Sequence, residues 1–278
     1  MIAPRGAPGS LRPRASTTTR DRDPRRPVTA HRSNQTGGLD CDDRPRPGTS
    51  QHRARRSARG ALAALLPDLS ETPLPTGQVL HEPGRAISRV YFPLVGVVSV
   101  VADLGDDRIV ETAIIGREGV VGLSVYLGAD APTECALVQV PGRALAMTTA
   151  DLRERLADVD GPLTAMLRRS AQALFTQVSR NAACNRVHTA RLRAARWLLT
   201  TADRMDSPRF ELTQHFLAQM LALRRTSVSE VAQSLAEDGC ITYTRGLITI
   251  TDRPRLQQHA CTCYEAIRRA TDAALTAR

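Results

Sequence analysis

The 278-residue sequence predicts an α+β chain in three parts: a β-roll of jelly-roll type, a long connector helix, and a C-terminal winged helix-turn-helix domain. Three observations predict it. Short apolar runs broken by Gly and Pro fill residues 62–147. A long helical period follows from Pro162. Two amphipathic patterns flank a three-residue break inside residues 211–241. The implied limits are 1–59 for a basic tail, 60–158 for the β-roll, 159–185 for the connector and 186–278 for the winged domain.

With 42% hydrophobic residues the chain can bury a sizeable core. Its formal charge of +10 invites a nucleic-acid partner, yet residues 1–59 hold fourteen Arg against five Asp and so carry almost all of the excess. All 38 basic residues are Arg, which a GC-rich coding bias explains more economically than function. The same segment is rich in Pro, Ser, Thr and Gly without apolar periodicity, and a disordered tail is expected there. A solvated tail, or a start codon placed upstream of the native one, outweighs a basic arm on DNA phosphates. No apolar run approaches the roughly 18 to 20 residues of a membrane span, and the Arg-rich start lacks the apolar centre of a signal peptide, so a cytoplasmic protein is expected. Six scattered cysteines form no disulfide framework. Cys261 and Cys263 stand in CTC, not CxxC, and are expected as reduced, partly buried thiols. No metal and no cofactor is predicted.

In order along the chain, GQVLHEPG, ISRVYFPLVGVVSVVADLGDD, RIVETAIIG, GVVGLSVYLG and CALVQVPGRALAM predict strands and turns at a spacing that suits a sandwich or barrel, with a β-roll as the sharper form. Gly77, Gly84, Gly96, Gly105, Gly116, Gly119, Gly122 and Gly128 are expected at turns or bulges. Helical text begins after a cap at Thr149 or Asp151. From Pro162, the positions Leu163, Leu167, Leu174 and Val178, continued by Ala182 and supported by Met166, Ala171 and Phe175, keep close to a 3.5-to-3.6 repeat and predict a dimer seam. A second helix over about 190–203 places Trp197 as a core anchor. Phe216, Leu217, Met220 and Leu221 mark one face of the next helix, and Val228, Val231, Ala232 and Leu235 mark a face of the one after. Between them Ala222-Leu223-Arg224 allows only a turn, which gives helix-turn-helix geometry. Gly239 then suits a helix end, the β-rich flanks of Arg245-Gly246 predict a hairpin wing, and 254–276 predicts a last helix burying Leu256, Tyr264, Ile267 and Leu275.

If Val228, Val231, Ala232 and Leu235 are buried, about 100° per residue turns Thr226, Ser229, Glu230 and Gln233 outward. Arg225 enters from the helix start, where a guanidinium can fork onto guanine O6 and N7. Glu230 either accepts from a cytosine amino group or closes an S-x-x-E capping box with Ser227. Thr213 is expected as an N-cap whose neighbouring N–H groups face a phosphate, with Arg224 and Arg245 adding sequence-neutral affinity. These residues imply double-stranded DNA as a partner. The absence of GxSxG, HExxH, P-loop and CxxC patterns argues against an enzyme. The competing reading is a ligand-binding β-roll, or a thiol-redox protein, whose helical domain mediates assembly.

Over about residues 62–265, the text YFPLVGVVSVV, GREGVVG, VQVPGRAL, LTQHFLAQMLALRRTSVSEVAQSL and ITYTRGLITITD resembles the Crp/Fnr superfamily of bacterial transcription regulators. The resemblance implies a homodimer joined through the connector helix, a recognition helix in the major groove, an effector-sensing β-roll, and RNA polymerase as a further partner of such a regulator. Gly116-Arg117-Glu118-Gly119 and Gly122 are similar to the glycine-rich part of the cyclic-nucleotide motif. Thr133, Glu134 and Cys135 stand where that motif has an Arg-Ser pair, and a carboxylate repels a cyclic phosphate, so weak or no cyclic AMP binding is expected and the effector stays unidentified. The N-terminal cysteine cluster of the iron-sulfur members is absent, with only Cys41 and Cys135 available. A haem ligand could be His81, which is more often a surface residue. Thr226 and Glu230 replace the Glu and Arg of the best-known recognition helices, so a different half-site is implied.

Overall fold

The computed structural model describes residues 68–105, 109–205 and 207–276; the tail expected over 1–59 lies outside them. The β-rich run of residues 70–148 folds into one antiparallel sheet: β1 (Ser70–Leu74), β2 (Val79–His81), β3 (Arg89–Asp103), β4 (Ile109–Ile115) and β5 (Cys135–Thr148), ordered β1-β5-β3-β4 with β2 also on β5. Strands β3 and β5 are long, and their ladder shifts register between Pro93 and Val98. At that bend the backbones touch. A Cβ on Gly142 would lie 1.9 Å from the Val95 carbonyl oxygen, and Gly96 sits at φ +105°. Only glycine permits both.

The bent sheet encloses Leu74, Val98, Ile115, Val138 and Ala144. A second cluster joins Val90, Phe92 and Met147 to helix α1 (Leu123–Tyr126), helix α2 (Thr149–Arg155) and the start of helix α3 (Pro162–Val187). The cap of α2 is Thr148, one residue before the predicted position, its hydroxyl accepting from the Asp151 N–H at 3.1 Å.

Helix α3 begins with Pro162 at its first turn, where a missing N–H costs nothing. Leu163, Met166, Leu167, Ser170, Gln177, Asn181 and Cys184 recur at spacings of three and four and are buried on its own chain. This corrects the predicted seam: Leu163 and Leu167 are spent in the β-domain's core and Leu174 is partly buried against it. Apolar side chains left outward include Phe175, 68% exposed, Val178, 39% exposed, and Ala182 one turn on, which share one side, and Val187, 70% exposed, at the helix end. Two stripes run side by side, and periodicity alone merges them.

The C-terminal part contains helix α4 (Ala190–Met205), β6 (Arg209–Glu211), α5 (Gln214–Met220), α6 (Arg225–Glu237), β7 (Ile241–Thr244), β8 (Leu247–Ile250), α7 (Arg253–Gln258) and α8 (Cys263–Thr276). The hairpin β7–β8 gains β6 as a third strand. Arg245 and Gly246 both take positive φ, 49° and 80°, which gives the two-residue loop the sign pattern of a type I′ turn. The single helix predicted over 254–276 is two helices, interrupted at His259–Thr262. Helix α8 runs antiparallel to α3: Cys263 lies by Cys184, and Ala274 accepts a hydrogen bond from Arg169 Nε at 3.3 Å. Trp197, Leu198, Leu217, Leu235 and Ile248 share one core with Val97, Val101, Ile114 and Val140 of the sheet. Among the described residues no helix is long and apolar enough to cross a membrane.

Candidate nucleic-acid interface

Helix α5 starts at Thr213, whose hydroxyl accepts from the Phe216 N–H at 3.1 Å, as an N-cap should. It ends on Ala222 at φ 49°. The Ala222 N–H donates to Gln219 O at 3.0 Å and the Leu223 N–H to Ala218 O at 2.9 Å, the two bonds of a Schellman motif with alanine where glycine is usual. The buried Arg193 guanidinium adds a hydrogen bond to the Leu221 carbonyl. The predicted turn is therefore fastened from both sides.

Helix α6 opens at Arg225 with Arg224 as N-cap, and no side chain caps it. Ser227 thus falls inside the first turn, and the capping box with Glu230 does not form. An N-cap residue must be non-helical, and Ser227 is helical. Val228, Ala232 and Leu235 are buried, with Val231 partly so, against Leu217, Leu221 and Ile248. Arg224, Arg225, Thr226, Glu230 and Gln233 are exposed. Ser229 is only half exposed: its hydroxyl lies 2.8 Å from Gln214 Oε1 and 3.0 Å from the Arg225 carbonyl, so it braces the helix crossing. Gln233 donates to Glu237 at 2.9 Å along the same face. Arg191 of α4 bonds Ser234 and Asp238 and holds the far end of α6. Thr213 and Arg245 are exposed on one wide groove whose other wall includes Gln139–Pro141 of β5.

The predicted effector residues come from two segments, one after β4 and one at the start of β5. Ile115, the residue before Gly116, pairs with Val98 of β3, and Cys135 of β5 pairs with Val101 on the other side of that strand. Glu118 is instead ion-paired with Arg204 of α4 at 2.6 Å, both side chains buried, and accepts from the Gly116 N–H at 3.2 Å. Arg117 donates to the Asp203 carbonyl at 3.3 Å. Both line a cleft of about 430 Å³ with Asp203, Arg253, Tyr264 and Asp272. A Cβ on Gly116 would press on Arg204 at 2.8 Å, and one on Gly119 on Ile115 at 2.9 Å, so these glycines serve close packing. Gly122, at φ +95°, lets His81 and Val90 approach. His81 is buried, not a surface residue, and its Nε2 lies 2.8 Å from the Arg89 carbonyl oxygen. Burial moves its pKa down, so it is neutral and Nε2 carries the proton that this bond needs, which removes that nitrogen as a haem ligand.

Residues that sequence reasoning missed lie where the domains meet. Glu111 of β4 accepts from Trp197 Nε1 at 2.8 Å, Arg196 donates to Asn181 at 2.6 Å, and Gln177 bridges Ile114 O and Arg204. Polar residues inside apolar text were the available signal.

Residues 192–259 match the family described as the Crp-like helix-turn-helix domain. No curated protein matches the chain in sequence. Its fold is similar to FixK2 from Bradyrhizobium japonicum, with a TM-score of 0.60 at 18% identity over 70% of this chain and 98% of that one. It is similar also to CLP, the c-di-GMP-responsive global regulator of Xanthomonas campestris, with a TM-score of 0.58 at 16% identity over 70% and 99%. TTHB099, a CRP-family transcriptional regulator from Thermus thermophilus, gives 0.58 at 22% identity over 70% and 99%. Residues 192–259 thus form a Crp-like helix-turn-helix domain, carried behind a β-rich domain in a fold similar to that of these solved structures.

Proposed function

We propose that this protein is a transcription regulator that binds double-stranded DNA as a homodimer, reads a pseudo-palindromic site through α6, and answers to a signal other than cyclic AMP. The observation that carries the reading is the outward face of α6. Arg225, Thr226, Glu230 and Gln233 stand exposed over an opposite face held by Val228, Ala232 and Leu235. A helix so anchored offers hydrogen-bonding groups of both signs to base edges. Arg224 and Arg245 flank that face and suit phosphates.

The proposal rejects cyclic AMP on charge. By the resemblance, Glu134 falls where a cyclic phosphate needs a cation, and at Cys135 beside it burial, then the charge of Glu82, pushes the thiol pKa up. Calorimetry with cyclic AMP should show no micromolar binding; a clear isotherm would refute this part.

Selection of bound sites from random DNA should return half-sites about one helical turn apart. Arg225→Ala should cost about 1–3 kcal/mol at one base position, whereas Arg245→Asn, which keeps a residue tolerant of positive φ, should weaken all sequences alike and reduce the salt slope by about one. Equal, sequence-independent losses from both changes would sink the assignment of Arg225 to base readout.

A further inference from the structure

CTC has the wrong spacing for a zinc knuckle by itself. The fold completes it from 77 residues away. Cys184 in the last turn of α3 and His188, the residue that caps that helix, are four apart and share a face. Cys261 and Cys263 flank the start of α8, which comes back along α3 to meet them. The four ligand atoms, three Sγ and one imidazole nitrogen, all lie within 4.8 Å of one another.

The separations are informative. Cys184 Sγ is 3.5 Å from Cys261 Sγ and 3.4 Å from His188 Nδ1, and Cys263 Sγ is 3.8 Å from the same nitrogen. A tetrahedral ion with metal–sulfur bonds near 2.3 Å and metal–nitrogen bonds near 2.0–2.1 Å sets its ligands about 3.8 Å apart for sulfur–sulfur and about 3.5 Å for sulfur–nitrogen. Hydrogen bonding among three thiols and an imidazole does not require four ligand atoms to converge in this way.

The surroundings suit an anionic cluster. Three thiolates around a divalent cation leave one negative charge, and burying it needs a counter-charge. Arg193 and Arg196 are buried on α4, which starts two residues after His188, and Arg196 also acts on Glu111.

We propose that Cys184, His188, Cys261 and Cys263 form a closed Cys₃His site for one thiophilic divalent cation of the zinc class. All four positions are filled by protein, so the site is structural and holds no open coordination position for chemistry. The ion clasps the end of the connector helix to the start of α8. Residue 188 is also where α3 stops and the helix-turn-helix domain begins, so the clasp fixes the angle at which that domain leaves the connector.

The test is metal content of the full-length protein, purified without chelator and dialysed. Elemental analysis should find a stoichiometric zinc ion per chain. Cobalt(II) exchanged into the site should give the intense visible bands of tetrahedral cobalt with a thiolate charge-transfer band. Cys261→Ser and Cys263→Ser should each weaken zinc binding at least about 100-fold, while Cys240→Ala leaves it unchanged. The cobalt spectrum is read on the unsubstituted chain, so a variant that misfolds does not decide the matter. Trace zinc with only the weak absorption of octahedral cobalt overturns the proposal, as does a Cys184–Cys261 disulfide in protein prepared under reductant. No DNA enters the measurement, so its failure is distinct from failure of the regulator reading.

Discussion

Glu111 is a carboxyl group with no water around it. Burial pushes its pKa up to about 7, against the hydrogen bonds from Ser99 and Trp197 and the charges of Arg196 and Arg204. The Ser99 hydroxyl has one proton and lies 2.8 Å from Glu111 Oε2 and 2.7 Å from Gln139 Oε1. With the Gln139 amide oriented so, a protonated Glu111 supplies the second proton, which agrees with the shift. The folded pKa is above the unfolded value of 4.5, so folding takes up a proton between them. This group's stabilisation is complete below about pH 4.5 and is lost as pH rises through about 7, an effect on the order of 3 kcal/mol. Denaturant midpoints of the natural chain should therefore fall between pH 5 and 8 relative to Glu111→Gln, in which this slope is removed. Identical slopes would mean that Glu111 does not titrate in that window. A lone acidic residue inside RIVETAIIG was the one signal for this glutamate, and its role could not be read because its environment includes Trp197 of α4, over 80 residues away.

At the scale of elements, α3 shows what periodicity can and cannot resolve. Its existence and length were legible from Pro162 onward, and so were α4, α6 and the wing. Which apolar stripe faces which neighbour was not, since β-domain and α8 both pack on α3. Phe175, Val178 and Ala182 are spaced i, i+3 and i+7 and form the outward strip, roughly 100° around the helix from the buried face. We propose this strip as the seam of the proposed dimer. Covering Phe175 on a partner copy contributes about 2 kcal/mol per copy. Phe175→Glu should convert the dimer to monomer in sedimentation equilibrium at micromolar concentration, with the circular dichroism spectrum retained because this side chain is exposed at 68%. A dimer undisturbed by Phe175→Glu and Val178→Arg together would place the seam elsewhere. The recognition helix illustrates the opposite case. One-sided burial sets its outward residues, and five of the predicted contacts, Arg224, Arg225, Thr226, Glu230 and Gln233, are exposed, while Ser227 and Ser229 are held partly inside the motif.

Across the whole molecule, the β-domain and the helix-turn-helix domain share a core, with Val97, Val101, Ile114 and Val140 set against Trp197 and Phe210. Buried polar links run through the same junction, from Glu118 to Arg204 and from Glu111 to Trp197. A change at the end of β4 therefore meets α4 directly. The sequence by itself determined the order and kind of the main elements, the turn between α5 and α6, the Arg245-Gly246 hairpin and the outward face of α6. Those depend on local periodicity, on caps, and on residues whose backbone freedom is their own. Tertiary structure alone decided the rest. It buried His81 and Glu111, divided the stripe on α3, and brought Cys184 and His188 to Cys261 and Cys263. Each of these depends on which surfaces meet, and contact between residues far apart in the chain leaves no period in the sequence to read.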